Sequence, residues 1–426
     1  MISTCENALP LAIEGGAPVR DVFLPFGVPC LGEEEIDEVV ATLRSGWIGT
    51  GPRAARFEEE FAAYVGARYA VSLNSCTAGL FLSLKVLDIG AGDAVITTPL
   101  TFGATANVIE HVGASPVFVD VDPATLNLDP NLVEDEVKRR RSTPSLSRQG
   151  RVKAVIPVHF GGLPCDMDAF HEIARRYDLH VIEDAAHAVG ARYKGRVVGA
   201  VSPLTSFSFY ANKNLTTSEG GMVTTDDPYL EEKLRVYRLH GLSRDAWKRF
   251  GSKRAVSEVL VPGYKYNMPD LTAALGIHQL RKQERFLAIR EVYAAVYDAA
   301  FAGLPVRTQY RPPIKDSTSS NGDEAARDRH ALHLYVLMLE EGAFRASRDE
   351  IVDALLAENI GAAIHYRALH LHPWYRDTYR YRPDDFPHAH RIGEHIFSLP
   401  LTPGMGWADG QDVITAVQKV LTAYRR

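Results

Sequence analysis

Apolar residues along this chain change their spacing several times, and each change marks a different element. Between Gly32 and Val65 the series Ile36, Val39, Val40, Leu43 and then Phe57, Phe61 recurs every three or four positions, which predicts two amphipathic helices. The glycine-rich run from Ser45 to Pro52, carrying Trp47, separates them, either as punctuation or as one wall of a pocket. From Tyr69 to Asp227 short apolar runs alternate with helical ones. Strands are predicted at Tyr69–Leu73, Ala94–Thr98, Pro116–Val121, Val152–Val158 and His180–Glu183. Helices are predicted at Thr77–Leu87, Ala104–His111, Leu132–Arg140 and Met167–Tyr177. The stretch Thr205–Met222 then alternates, with Phe207 and Phe209 on one face and Ser206 and Ser208 on the other. It passes through a polar loop holding Lys213, and Gly220-Gly221 releases it into the run Met222–Thr225.

Strands and helices in this order imply a mostly parallel sheet covered on both faces. In such sheets chemistry gathers at the carboxyl ends of the strands. Lys213, Asp184, His159 and the Asn74–Thr77 turn all fall just past predicted strand ends, so the pattern brings them to one edge. Residues 1–30 have no helical periodicity and read as an arm lying on the body, and residues 31–285 as a large α/β domain. Leu271–Ala295 has the pattern of a long helix bridging two domains. The strand-like Leu332–Leu339, the helix Arg348–Glu358 and a closing helix Asp409–Tyr424 outline a smaller α+β domain over residues 286–426. The polar runs Arg141–Arg151 and Lys315–Arg329 read as surface loops.

Composition narrows the partners. At 426 residues the chain exceeds one compact core, so two domains are expected. A formal net charge of -6 gives no electrostatic reason for binding nucleic acid or an anionic membrane, and the Lys138–Arg141 run suits the C-terminal end of a helix. Cys5, Cys30, Cys76 and Cys165 have no paired spacing, which points to a reduced, cytoplasmic protein without a disulfide framework. No apolar run has the length of a bilayer span. His365, His370 and His372 match no metal-binding signature, and no metal is expected.

The candidate chemistry centres on Lys213. A lysine at a strand exit beside small hydroxyl residues can lose hydration, which lowers its pKa and frees its amine to form an imine; a solvated loop lysine is the ordinary alternative. Asp184 either caps the turn after its strand or pairs with a protonated heteroaromatic nitrogen, whose ring then accepts electrons. Lysine and carboxylate together are the minimum set for pyridoxal phosphate. In Asn74-Ser75-Cys76-Thr77 a strand turns into a helix, where free backbone N–H groups favour a phosphate and Thr77 adds a hydroxyl; a simple N-cap is the alternative. Ser208 offers another hydroxyl, and Phe102 is either a stacking face for the ring or a core aromatic.

These residues resemble the DegT/DnrJ/EryC1/StrS family of pyridoxal-phosphate sugar aminotransferases. The family has the type I, aspartate-aminotransferase-like fold, an α/β class with a mostly parallel sheet and a smaller α+β domain. The resemblance runs from about Pro25 to the C-terminus. It includes Ser45-Gly-Trp47, Thr101-Phe102, Glu183-Asp-Ala-Ala-His187, Ser206–Gly221, His240-Gly241, Gly263–Met268 and Ser398-Leu-Pro-Leu401. It implies Lys213 as the cofactor-bearing lysine and general acid/base, Asp184 on the pyridine nitrogen, and His187 near the ring hydroxyl. It implies Phe102 as the stacking face, with Cys76, Thr77 and Ser208 around the phosphate. In a homodimer of this kind Lys265 reaches the neighbour's cofactor phosphate.

Three positions depart from the family pattern: Cys76 replaces a glycine of the phosphate turn, Lys265 replaces an asparagine, and His390 replaces a glutamate. The implied reaction moves an amino group from L-glutamate, leaving 2-oxoglutarate, to a nucleotide-linked keto sugar. The run Leu239–Trp247 and the Gly263–Met268 loop resemble the branch acting at C4 of UDP-4-keto-6-deoxy sugars, with Arg244, Lys248 and Trp47 on the nucleotide side. Amination at C3, or of a cyclitol ketone, shares most of these motifs. A pyridoxamine-dependent sugar dehydratase would carry histidine at the lysine position, so Lys213 argues against it.

Overall fold

The apolar runs fold into a central sheet and the helices that cover it. The computed structural model describes residues 10–143, 150–243, 258–312 and 328–426. Helices α1 (Glu33–Ser45) and α2 (Pro52–Val65) lead into β1 (Tyr69–Leu73), α3 (Cys76–Val86), β2 (Asp93–Thr97), α4 (Gly103–His111) and β3 (Ser115–Phe118). Next come α5 (Pro130–Ser142), β4 (Arg151–Val155), α6 (Met167–Tyr177) and β5 (His180–Asp184). A small ribbon follows, β6 (Arg192–Tyr193) with β7 (Arg196–Val197), and then β8 (Leu204–Ser208), β9 (Gly221–Thr225) and α7 (Pro228–Arg238). The large sheet has seven strands in the order β1-β9-β8-β5-β4-β2-β3. Only β9 runs against its neighbours. This is the mostly parallel α/β sheet that the alternation predicts, with its strand ends shifted by up to three residues.

The alternation in β8 decides what lies behind the lysine loop. Phe207 and Phe209 pack into Phe57 and Phe61 of α2, with ring centroids 5.0–5.4 Å apart. Ser206 and Ser208 therefore face the opposite side, and the chain leaves β8 anchored by two buried aromatics. The loop closes through Phe209 N–H to the Gly220 carbonyl and Thr217 N–H to the Phe209 carbonyl, both 2.9 Å. Lys213 is thereby held at the sheet's carboxyl edge.

One helical expectation needs correction, and the amphipathic α1 turns its polar side inward. The apolar stripe of α1 does not face the core: Ile36 and Leu43 are exposed, while Glu35 and Thr42 are buried. The Glu35 carboxylate takes hydrogen bonds from Gln279 at 2.9 Å and Lys282 at 2.7 Å, so the inward contact is polar. The long helix is two: α8 (Asp270–Arg281) and α9 (Gln283–Phe301), parted at Lys282, whose amine pairs with Glu34 and Glu35.

Beyond α9, strands β10 (Val306–Thr308), β11 (Tyr335–Leu339) and β12 (Ile396–Leu399) form an antiparallel sheet. Helices α10 (Arg348–Ala357), α11 (Pro373–Tyr379), α12 (Pro387–His395) and α13 (Trp407–Tyr424) complete this part. Its core gathers Tyr297, Tyr335, Phe397, Ile351 and Val417. The first described residues lie on the same core. Leu11 and Leu24 are buried there, the Glu358 carboxylate accepts from the N–H groups of Ala12 and Val19 at 2.9 Å, and Leu24 bridges to Ile360. The centres of the two expected loops, residues 144–149 and 313–327, lie outside the described residues. Among the described residues no helix is long and apolar enough to cross a membrane.

Candidate active site

Lys213, Asp184, Cys76 and His187 meet at the carboxyl edge of the large sheet. The Lys213 amine, the Asp184 carboxyl and the Cys76 thiol lie within range of one another's charge. Loss of hydration pushes the Lys213 amine down to about 8, with Cys76 and Asp184 pulling the other way. Asp184 closes β5 and is buried. Burial raises its carboxyl pKa, opposed by the Thr105 hydroxyl donating to Oδ2 at 2.7 Å and Ala186 N–H donating to Oδ1 at 3.1 Å. Thr105 is in turn 2.9 Å from the hydroxyl of Thr101, which lies just before the helix.

His187 is fixed in one tautomer. Gly161 N–H donates to Nδ1 at 3.2 Å, so the ring proton sits on Nε2, 3.1 Å from the Tyr366 hydroxyl. Burial, with Lys213 nearby, holds its pKa well below the ordinary histidine value. Its ring packs at 4.4 Å on His333, which stands 3.3 Å from the Lys213 amine.

The strand-to-helix turn after β1 exposes the positive end of a helix. Ser75, and not Thr77, is the N-cap of α3: its hydroxyl accepts from Ala78 N–H at 3.1 Å. The first-turn amides of a helix have no intrahelical acceptor, so Cys76 and Thr77 offer N–H donors at the positive end of the dipole. The family's glycine is not required at position 76, because the Cys76 side chain is housed in the interior. The close approach falls on Gly221 instead, where a Cβ would lie 2.4 Å from the Ser75 carbonyl carbon and 2.5 Å from Cys76 N. Ser208 is buried with its hydroxyl accepting from Tyr210 N–H at 3.4 Å, which leaves its own proton to donate.

Other predicted residues fall in varied places. Phe102 precedes α4 and is 65% exposed, which rules out a core role and leaves a ring face open, 6.2 Å from Tyr366. Lys265 is exposed, its amine 2.5 Å from Asn267 Oδ1. Its loop is docked on the end of β1, where Asn74 N–H reaches the Tyr266 carbonyl at 2.7 Å. His159 does not line the opening. It is wholly buried, 2.7 Å from Glu183, and braces the Asp184 carbonyl through its own N–H. His390 stands 6.3 Å from the His370 ring. Trp47 folds onto its own loop, its indole N–H on the Thr50 carbonyl, and Thr50 is tied to Met268. That loop is thus secured against the Asn267–Asp270 segment. Arg244, Trp247 and Lys248 lie outside the described residues. His365 pairs with the Ser398 hydroxyl and His372 with the Arg367 carbonyl, His370 is buried with neither ring nitrogen hydrogen-bonded, and no group of three metal-ligating side chains occurs among the described residues.

Sequence reasoning missed Thr105, Asn214, His333 and Tyr366. The four-residue spacing of Thr101 and Thr105 was a usable signal. His333 and Tyr366 arrive from elements more than a hundred residues away and carry none.

The donor set fits pyridoxal phosphate: a dehydrated amine for its aldehyde, a buried carboxylate for its pyridine nitrogen and an anion cup for its phosphate. Comparison with known proteins agrees. The description "DegT/DnrJ/EryC1/StrS aminotransferase family" matches residues 29–418. The chain is similar to the spore coat polysaccharide biosynthesis protein SpsC of Bacillus subtilis, 48% identical over 404 residues, covering 94% of this chain and 98% of that protein. It is similar to the PLP form of the putative sugar aminotransferase Spr1654 from Streptococcus pneumoniae, with TM-score 0.81, 32% identity and coverage of 94% and 99%. It is also similar to Helicobacter pylori PseC, an aminotransferase involved in pseudoaminic acid biosynthesis, with TM-score 0.82, 25% identity and coverage of 95% and 100%. Fold, site and relatives define a pyridoxal-phosphate-dependent aminotransferase of the type I fold. Within that class, the chain belongs to the DegT/DnrJ/EryC1/StrS aminotransferase family.

Proposed function

We propose that this enzyme transfers the amino group of L-glutamate to a nucleotide-linked keto sugar, at C4 of a UDP-4-keto-6-deoxy sugar. The observation that carries the reading is the placement of Lys213, just past β8, within range of the buried Asp184 carboxylate at the end of β5, with its amine's pKa lowered by loss of hydration. Names of relatives support the sugar: SpsC is a spore coat polysaccharide biosynthesis protein and Spr1654 a putative sugar aminotransferase.

Bound here, the cofactor supplies the reactive aldehyde and the electron-accepting ring that transamination needs. Lys213 would hold it and, when its amine is free, would move a proton to and from the donor carbon; the amine's lowered pKa suits both roles. Asp184 keeps the pyridine nitrogen protonated. His187 would stand by the ring hydroxyl as a neutral imidazole, its Nε2–H shared with the Tyr366 hydroxyl, and Phe102 would offer its open face for stacking. The amides of Cys76 and Thr77, the Thr77 hydroxyl and Ser208 take the phosphate. Lys265 reaches the phosphate of a second subunit. The exposed Ile36 and Leu43, with Leu31 and Ile48 beside them and Val39 and Val40 half-buried between, support that homodimer, since apolar surface of this kind marks an interface. The same reading takes residues 1–30 as an arm, 31–285 and 286–426 as large and small domains, and the cytoplasm as the compartment.

Incubating purified enzyme with glutamate and a panel of UDP- and dTDP-linked 3-keto and 4-keto sugars tests this. Amino-sugar product from a UDP-4-keto-6-deoxy sugar is expected. Glutamate that leaves the cofactor absorbance unchanged, or product only from 3-keto sugars or a cyclitol ketone, would overturn donor or acceptor respectively.

A further inference from the structure

Lys213 ends on His333, and the surrounding atoms decide which side gives the hydrogen. Asn214, next in the chain, donates through Nδ2 to the Ala331 carbonyl at 2.6 Å. That bond sets the amide with Oδ1 toward His333, 3.3 Å from Nδ1. An amide oxygen only accepts, so Nδ1 carries the imidazole proton and Nε2 holds a lone pair. That lone pair stands 3.3 Å from the Lys213 amine. His333 stays neutral, because burial together with Lys213, His187 and Arg290 keeps its pKa well below the ordinary value. Arg290 also donates to the Leu332 carbonyl at 3.1 Å, bracing the segment that carries the ring.

We propose that His333 is a positioning residue that receives the Lys213 amine whenever that amine is free, its accepting tautomer set by the Asn214–Ala331 contact. This rests on the reading of Lys213 as the cofactor-bearing lysine. During turnover such a lysine is released and must stay beside the reacting carbon. An acceptor on its far side keeps it from swinging away and leaves the rest of the amine turned to the site. The tautomer follows from a backbone carbonyl and does not depend on pH. The other groups facing Lys213 are Cys76 and Asp184, which favour the ammonium, and His187 and His365, both held neutral by burial.

The test uses cofactor-free protein, so that it does not depend on turnover. Acylation of Lys213 by acetic anhydride is followed against pH, and the Lys213 peptide is quantified by mass spectrometry. A neutral acceptor favours ammonium over amine, so His333→Phe should lower the midpoint by about one unit, a tenfold change in the equilibrium. His333→Gln, whose side-chain oxygen accepts, should restore the midpoint. Asn214→Leu, which releases the tautomer, should shift it in the same direction as Phe. An unchanged midpoint in His333→Phe, or an equal shift in the Phe and Gln variants, overturns the proposal. If the Phe variant does not fold, an unchanged midpoint in Asn214→Leu does so. The underlying reading fails separately: Lys213→Ala protein that takes up pyridoxal phosphate with the wild-type absorbance would refute the cofactor role while leaving the acylation midpoints as measured.

Discussion

Gly221→Ala tests the anion cup where it is tightest. Gly221 opens β9 and is paired on both sides, opposite Leu73 of β1 and Ser208 of β8. Its backbone therefore cannot retreat without breaking two ladders. An added Cβ would stand 2.4 Å from the Ser75 carbonyl carbon, 2.5 Å from Cys76 N and 2.6 Å from the Ser75 carbonyl oxygen. Non-bonded carbons pack at about 3.5–4.0 Å, so the first turn of α3 must move by about 1 Å. All three atoms are backbone, so no side chain can turn aside. Overpacking of this kind costs about 1–3 kcal/mol, and the displaced turn is the one assigned to the phosphate. We expect urea unfolding of the cofactor-free protein to show that loss. Spectroscopic titration should show pyridoxal phosphate binding weakened at least about tenfold, equivalent to about 1.4 kcal/mol, and pyridoxal, without the phosphate, affected less. Gly303→Ala, where a Cβ meets nothing within 4 Å, serves as control and should change neither. Wild-type stability and affinity in Gly221→Ala would refute the argument, and equal weakening for both ligands would refute the phosphate assignment.

Other outcomes follow from the same geometry. In cofactor-free protein Lys213→Met should be more stable than wild type below about pH 8, because the folded state there must bury an ammonium. Between about 8 and the ordinary lysine value the unfolded chain binds more protons, so wild-type stability rises with pH and the gap closes; urea unfolding from pH 7 to 10 reads it. Thr105→Val removes the hydroxyl on Asp184 Oδ2 and should raise that carboxyl's pKa further, moving the acid limb of the activity profile to higher pH. Phe102→Ala should leave the unfolding midpoint within about 0.5 kcal/mol, since the ring is exposed, yet weaken cofactor binding measured by titration. Lys265→Ala should also spare stability. Mixed dimers of Lys265→Ala with Lys213→Ala subunits should show whether the lysine serves its own site or its neighbour's.

Local patterning carried much of this protein. Alternation in Thr205–Met222 placed aromatics behind the lysine loop and hydroxyls in front, because side chains in a strand point to opposite faces whatever the strand packs against. Strand-then-helix runs put Lys213, Asp184 and the Ser75–Thr77 turn at one sheet edge, because parallel strands all end on the same side. Where packing overrode local pattern, periodicity was no guide. The stripe on α1 was apolar but not inward, since Gln279 and Lys282 meet Glu35 on the buried face. The helix after Asp270 broke at Lys282 without any glycine or proline to signal it. His159 looked like its neighbours at the strand ends but is sealed against Glu183. Asn214, His333, Tyr366 and the order of the strands had no local signature at all. His333 reaches Lys213 across 120 positions of chain, and its tautomer depends on an amide and a carbonyl that only the folded chain brings together. Periodicity reports which way a side chain points from its own element; what it meets there is set by elements distant in the chain, through contacts that no short window contains.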